Sequence, residues 1–342
     1  MNSLYLKVAR KSAEDARVRM LKRGLFDSSR KVLSECECIL LPLAKNLAVR
    51  GGVIVERKTP KAPAARPRSL REALSGVLSE CELVLLPAGF DVIGDIAIME
   101  LPKELMKQKK VIGRALLKTF RNLKVAAVKT APVSTEFRVR GVEVVAGEKR
   151  TITVHTEYGC RYRLDVSRDY FSPRLGTERM RVASQVKAGE RVLVMFAGVG
   201  PYAVLIAKQR SPKEVVAVEL NPDAARFMAE NARLNKVGIL TIQGDVRDAT
   251  PLLGKFDRIV MPLPKDAGDF LDVALPALKK GGVIHFYDFA GSPEESAKKV
   301  AKLCRRLGYK IKIMDSVSCG SYSPQLGRVC VDLKVLGKNN KT

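Results

Sequence analysis

The chain has 342 residues, enough for two or three domains at about 100–200 residues each. Its 46% hydrophobic and 28% charged residues exclude wholesale disorder, and no run approaches the roughly 18–20 apolar residues of a transmembrane helix. Lysine and arginine number 61 against 36 acids, a net +25 that divides into +14 over residues 1–170 (33 basic, 19 acidic) and +11 over residues 171–342 (28 basic, 17 acidic), so the whole chain favours a polyanion, nucleic acid first.

The seven cysteines are odd in number and include no CxxC pair, and the two histidines lie far apart. That pattern points away from a disulfide framework or a zinc site. Met1–Arg10 lacks the apolar core of a leader, so the expected location is the cytoplasm. Nothing points to a membrane or to an obligate protein partner.

In chain order, Ser12–Arg23 is predicted as a helix, and Glu37–Pro42 and Gly52–Glu56 as strands. The run RKTPKAPAARPRSLR, Arg57 to Arg71, has three prolines, six basic residues and no acid, and reads as a solvated linker. Beyond it, Leu70–Ser79 is predicted as a helix, Leu83–Leu86 and Ile93–Glu100 as strands, and Pro102–Phe120 as a basic amphipathic helix. Residues 103–150 hold 13 basic and 4 acidic residues, the densest excess in the chain. Ser34-Glu35-Cys36-Glu37 is echoed by Ser79-Glu80-Cys81-Glu82, by chance or by duplication of a strand.

After about Tyr170 strands and helices alternate. Strands are predicted at Arg191–Phe196, Glu214–Leu220, Leu240–Gln243, Phe256–Met261 and Val283–Phe289. Helices are predicted at Pro201–Gln209, Pro222–Lys236, Asp266–Lys280 and Pro293–Leu307. Near-continuous apolar strands between amphipathic helices indicate a mostly parallel, doubly wound α/β sheet. Lys310–Asp315 and Arg328–Leu336 have no helix between them and should form a terminal antiparallel hairpin at one edge. The expected organisation is a small module over 1–56, a linker over 57–70, an α+β domain over 71–170 and a Rossmann-like α/β domain over 171–342.

The first of these strands runs into Val194-Met195-Phe196-Ala197-Gly198-Val199-Gly200-Pro201. Glycines at a strand-to-helix turn let a ligand approach the backbone. The run is neither GxGxxG nor a P-loop. The second strand ends in Glu219-Leu220, where an acid can bind both ribose hydroxyls, and the third in Asp245-Val246, where an acid can accept from an adenine amino group. Either acid alone is an ordinary exposed strand end. In succession they resemble the class I S-adenosylmethionine-dependent methyltransferases. That resemblance implies S-adenosylmethionine as cofactor, bound by Phe196, Ala197, Gly198, Val199, Gly200, Glu219, Leu220, Asp245 and Val246. It also exposes a departure: the class carries an acid two residues before the phenylalanine, and this chain has Val194.

Four further segments narrow the reading. They are Glu136-Phe137-Arg138-Val139-Arg140, Ala146-Gly147-Glu148, the run from Tyr170 to Arg179 (YFSPRLGTER), and Met261-Pro262-Leu263-Pro264-Lys265. From about residue 69 onward the chain closely resembles the archaeal and eukaryotic tRNA (guanine-37 N1) methyltransferases. In that family the small N-terminal module contacts the outer corner of the tRNA, and the other domains hold the anticodon stem-loop. The resemblance implies Glu178 as the base that takes the N1 proton, Arg138 as the cation at O6, and Arg174 as a further acceptor or phosphate contact. Without it, Glu178 reads as a helix N-terminal acid and Arg138 as a surface or phosphate-binding arginine. The family usually has asparagine where this chain has Pro262, which lacks groups to grip a guanine edge. That departure is either neutral drift or a relaxed pocket that also admits the tricyclic wyosine intermediate for methylation at C7. The alternatives are a monofunctional guanine-37 enzyme, an aminocarboxypropyl transferase of the wyosine pathway, and a catalytically dead RNA-binding module.

Overall fold

A computed structural model of the chain describes residues 2–45, 51–58, 67–130, 141–321, 323 and 325–339. The chain divides into two compact units, residues 1–72 and 73–342. Residues 59–66 of the expected linker lie outside the described residues.

The first unit holds β1 (Asn2–Ala9), α1 (Ala13–Lys22), β2 (Leu33–Glu35), β3 (Cys38–Pro42) and β4 (Val53–Lys58). The strands form an antiparallel sheet in the order β2-β3-β1-β4. Alternate residues Leu6 and Val8 of β1 join Ala16 and Met20 of α1 in one small core, as period-two strands and a helix stripe require.

The division between the units falls within α2 (Leu70–Leu74), which is shorter than the predicted Leu70–Ser79 helix. α3 (Glu80–Val84) replaces the predicted strand over Leu83–Leu86. The reason is a capping box: the Glu82 N–H donates to Ser79 Oγ, and the Ser79 N–H donates to Glu82 Oε2. Two otherwise unmet donors at the helix start are satisfied, which outweighs the β-leaning apolar run. The echoed tetrapeptide at Ser34–Glu37 instead makes the β2–β3 turn, with Cys36 at φ 47°. Two different structures for one tetrapeptide count against a duplicated strand.

Next come β5 (Asp91–Ile93), β6 (Ile96–Met99), α4 (Lys109–Thr119, preceded by a 3-10 turn over Lys103–Gln108), β7 (Val125–Lys129) and β8 (Val142–Gly147). They form a four-stranded sheet ordered β5-β6-β7-β8, with α4 as the crossover between parallel β6 and β7. β9 (Ile152–Glu157) and β10 (Cys160–Asp165) make a separate two-stranded ribbon.

The large sheet follows: α5 (Gly176–Ser184), β11 (Arg191–Val194), α6 (Pro201–Gln209), β12 (Glu214–Glu219), α7 (Pro222–Leu234), β13 (Leu240–Gln243), α8 (Val246–Ala249), β14 (Phe256–Met261), α9 (Leu271–Ala274), β15 (Leu278–Ala290), α10 (Pro293–Arg306), β16 (Tyr309–Ser321) and β17 (Gly327–Lys338). Its order is β13-β12-β11-β14-β15-β17-β16, parallel as far as β15 and antiparallel beyond. Val192, Val194, Val215, Ala217 and Val260 pack on one face with α6 and α7. Leu193, Val216, Val218, Ile259 and Met261 pack on the other with α9 and α10. The strands are therefore apolar on both sides, as a doubly covered sheet needs. The expected terminal hairpin is present, with β17 inserted beside β15 and β16 at the edge. The predicted single helix over Asp266–Lys280 is not: a 3-10 turn at Ala267–Phe270 and the four-residue α9 stop before Pro276, and β15 has begun by Leu278. Pro276 lacks the N–H a continuing helix requires. The connection order reverses beside β11, and sheets of this type bind ligands outside the carboxyl ends of the strands at that point.

Candidate cofactor and acceptor site

β11 ends at Val194, and the chain turns sharply through Phe196 (φ 53°), Gly198 (φ 57°) and Gly200 (φ 85°). The turn is fastened to both neighbouring strands: the Met195 N–H donates to the Val260 carbonyl and the Ala197 N–H to that of Val218, each at 3.0 Å. Gly200 caps α6 in the left-handed region, and a Cβ there would lie 2.9 Å from Met228 Cγ. Conformation and space both demand glycine.

Glu219 closes the turn from the next strand. The Gly198 N–H donates to its Oε2 at 2.7 Å and the Asn221 N–H to its Oε1 at 2.8 Å. Burial raises the Glu219 pKa, and the Asn221 and Gly198 donors work against that shift. Each oxygen keeps a second lone pair, so the carboxylate can still accept from two hydroxyls. The Gly244 N–H donates to the Glu219 carbonyl, which brings the third strand end alongside. Asp245 caps α8 by accepting from the Arg247 N–H at 2.8 Å. The predicted cofactor residues Phe196 to Gly200, Glu219, Leu220, Asp245 and Val246 thus gather along the carboxyl ends of β11, β12 and β13. Pro262 follows β14 on the same edge, in a tight turn where the Leu263 N–H donates to the Met261 carbonyl. Val194 is fully buried and paired with Ala217 and Val260, and it offers no polar atom.

The segment Arg168–Arg174 lies across this edge. Asn221 Nδ2 donates to the Arg168 carbonyl at 3.1 Å, and the Tyr170 carbonyl oxygen lies 3.8 Å from the position a Gly198 Cβ would take. The segment forms one wall of a cleft of about 460 Å³, whose lining includes Asp91, Lys129, Asp169, Tyr170, Arg174 and Arg328. Arg174 is 75% exposed, and its Nε donates to Asp91 at 2.8 Å, so it sits on the outer rim and not against the glycine turn. Arg138 lies outside the described residues.

Glu178, on the first turn of α5, is 6% exposed. Tyr287 O–H donates to its Oε1 at 2.6 Å, and Arg181 Nη2 and Nε donate to Oε1 and Oε2. Tyr202, two residues beyond Gly200, shares a 2.7 Å hydrogen bond with Tyr287, which ties the carboxylate to the start of α6. Arg181 also donates to Asp332, as do Gln185 Nε2 and His285 Nδ1. Arg258 can only donate to His285 Nε2, so the imidazole proton sits on Nδ1, facing Asp332. Burial would raise the Asp332 pKa, but the bonds from His285 and Arg181 hold it well below the usual carboxylate range. His285, Cys330 and Asp332 lie close enough for a metal, yet the Asp332 oxygens are already taken by these donors, which makes the cluster an ion-pair network. The i,i+3 pair Glu178–Arg181 is visible in the sequence. Tyr202, Tyr287, His285, Asp332 and Asp169 carry no sequence signal for their positions here, because only the fold assembles them.

A reversed-order sheet with a glycine turn and acids at successive strand ends defines a Rossmann-like methyltransferase class. The family described as the TRM5/TYW2 methyltransferase domain matches residues 153–312, the TYW2 N-terminal domain matches 70–151, and the tRNA methyltransferase 5 N-terminal domain matches 6–49. The tRNA (guanine(37)-N(1))-methyltransferase Trm5b of Pyrococcus abyssi is 38% identical over 337 residues, covering 97% of this chain and 99% of its own. The tRNA (guanine(37)-N(1))/4-demethylwyosine(37)-methyltransferase Taw22 of Nanoarchaeum equitans is 30% identical, over 68% of this chain and 96% of its own. The solved complex of aTrm5 with tRNALeu superimposes with a TM-score of 0.84 at 32% identity, covering 97% of this chain and 99% of that one. The chain belongs to the TRM5/TYW2 methyltransferase family.

Proposed function

We propose that the protein is an S-adenosylmethionine-dependent methyltransferase acting on N1 of guanine 37 of tRNA, and on C7 of the tricyclic wyosine intermediate at the same position. The observation that carries this reading is the Gly198–Glu219 clamp with Asp245 at the next strand end, a nucleoside cradle at the sheet's switch point.

Bound S-adenosylmethionine supplies an electrophilic sulfonium methyl group. Glu219 accepts from the ribose hydroxyls and Asp245 from the adenine amino group, while the glycine turn leaves room for the methionine arm. Guanine N1 carries a proton that must leave as the new bond forms. Glu178 takes that proton, and Arg138 steadies the charge on O6. Arg181 grips two carboxylates, so releasing Glu178 still leaves it paired with Asp332. Arg174, on the outer rim, meets the RNA.

No helix among the described residues is long and apolar enough to cross a membrane. The RNA lies against the basic face. Lys103, Lys107, Lys110, Arg114 and Lys118 are all exposed, three or four residues apart, on α4 and the turn before it. That spacing makes a ridge of phosphate contacts for the anticodon stem-loop. The small first unit contacts the tRNA outer corner.

The second activity rests on Pro262. A proline has no amide to hold the guanine edge and leaves the pocket open to a larger ring. Mass spectrometry of nucleoside 37 tests both activities, with unmodified tRNA and tRNA carrying the tricyclic base as substrates. Wild type should methylate both, and Pro262→Asn should keep the first activity and lose most of the second. Methylguanosine alone from wild type, with no effect of Pro262→Asn, would reduce the proposal to one activity. Transfer of an aminocarboxypropyl group, a heavier adduct, would overturn it.

A further inference from the structure

Asp169 stands out among the buried polar groups. It is 5% exposed, its Oδ2 accepts the Asp165 N–H at 2.8 Å, and its Oδ1 has no hydrogen-bond partner among the described residues. A buried carboxylate oxygen without a donor is costly unless something else fills the role. Asp169 lines the cleft, whose lining includes neither the glycine turn nor Glu219 or Asp245; its chain neighbours are what tie it to the strand ends, since the Arg168 carbonyl accepts from Asn221 and the Tyr170 carbonyl lies 3.8 Å from the position of a Gly198 Cβ. Val194, at the end of β11, is fully buried between Ala217 and Val260 and has no polar atom, so the acid that the resemblance leads one to expect there must come from elsewhere in the fold.

We propose that Asp169 is the carboxylate that holds the α-ammonium group of the cofactor's methionine arm, in place of an acid at Val194. This rests on the S-adenosylmethionine reading above. The ammonium offers three donors and a positive charge, which an orphaned, desolvated carboxylate oxygen lacks. Burial pushes the Asp169 carboxyl up to about 6. The Asp165 N–H opposes that shift, the charges of Asp165 and of Asp223 on α7 add to it, and Arg226 on α7 reduces it. A bound cation would restore the charged form.

The test compares two nucleosides by calorimetric titration of the full chain. S-adenosylhomocysteine keeps the ammonium, and 5′-methylthioadenosine lacks the amino-acid arm. Asp169→Asn preserves an acceptor for the Asp165 N–H but cannot carry charge. It should weaken S-adenosylhomocysteine by about ten- to a hundredfold and 5′-methylthioadenosine by less than about twofold. Retained 5′-methylthioadenosine binding shows in the same experiment that the variant is folded. Equal loss for both nucleosides, or no loss for either, would overturn the proposal. A second measurement needs no variant. In wild type the ratio of the two affinities should fall as pH drops from about 7.5 to about 5, because Asp169 is neutral at the lower value. Titration of Glu219 affects both ligands through the ribose and cancels from the ratio. A flat ratio would overturn the assignment. If wild type binds neither nucleoside, the cofactor reading itself fails, and this inference with it.

Discussion

Arg181 is shared between two acids, Glu178 and Asp332. Burial alone would favour its neutral form, but the bonds to both carboxylates keep it firmly charged. The arrangement lets one carboxylate be freed without stranding a buried cation, which would otherwise cost several kcal/mol. Glu178→Gln keeps the side-chain volume and an oxygen to accept from Tyr287, but its NH2 group faces the Arg181 Nε–H, so Arg181 is then held by Asp332, and a thermal melt of the variant must accompany its kinetics. The variant should bind cofactor and tRNA normally and methylate guanine about 10²- to 10⁴-fold more slowly, the usual worth of a general base. The electron-rich ring carbon of the tricyclic base attacks before it loses its proton, so that reaction should suffer by a different factor. Single-turnover rates on both substrates are the measurement. A guanine rate within a few-fold of wild type would remove Glu178 from the chemistry.

Among the elements, α6 starts on a residue that tolerates no side chain. Gly200 combines a left-handed backbone with Met228 Cγ 2.9 Å from its missing Cβ, whereas Gly189 (φ 79°) has open space around it. Gly189→Ala should cost only the backbone strain, about 1 kcal/mol. Gly200→Ala should cost that plus displacement of Met228, about 2–4 kcal/mol in all, and should also weaken nucleoside binding. Thermal melts of the two variants check the difference. Elements bounded by glycine and proline were legible in the sequence to the residue: α6 at Pro201–Gln209, β13 at Leu240–Gln243 and β14 at Phe256–Met261. Where local chemistry opposed the apolar pattern, reading failed. The Ser79 capping box turned a strand-like run into α3, and Pro276 cut a helix short. β1, β2, β7, β8 and the ribbon of β9 and β10 were not read at all, because their strand pattern is weak without the partner strands, and the single strand expected over Ile93–Glu100 is a hairpin, β5 and β6, turning at Gly94 (φ 59°). The same limit applies to the site. Acids at strand ends follow from chain order, but the orphaned oxygen of Asp169 exists only once burial has removed its water.

For the molecule as a whole, charge dominates the encounter with RNA. A net +25, with its densest excess over residues 103–150, implies several phosphate contacts and release of the counterions they displace. Affinity for tRNA should fall steeply and linearly on a log–log plot against salt. Replacing Lys107, Lys110, Arg114 and Lys118 by alanine should flatten the slope by up to about 0.9 for each phosphate that is no longer neutralised. Filter-binding or fluorescence titrations across a salt series measure it, and an unchanged slope would move the RNA off the α4 face.

The margins of the large sheet carry a last consequence. One edge, β13, is four residues long. The other, β16, runs for thirteen residues but breaks register against β17 at Lys310/Ile311, Ile313/Asp315 and Ser318/Ser321, and it exposes Lys310 and Lys312. Unpaired strand edges are templates on which a second chain can add, and short length, bulges and lysines each spoil the template. Substrate RNA crowds positively charged proteins together along one polyanion, where a long flat edge would zip neighbours into aggregates. With both margins blunted, the large sheet gives a neighbouring copy held on the same RNA little backbone to pair with.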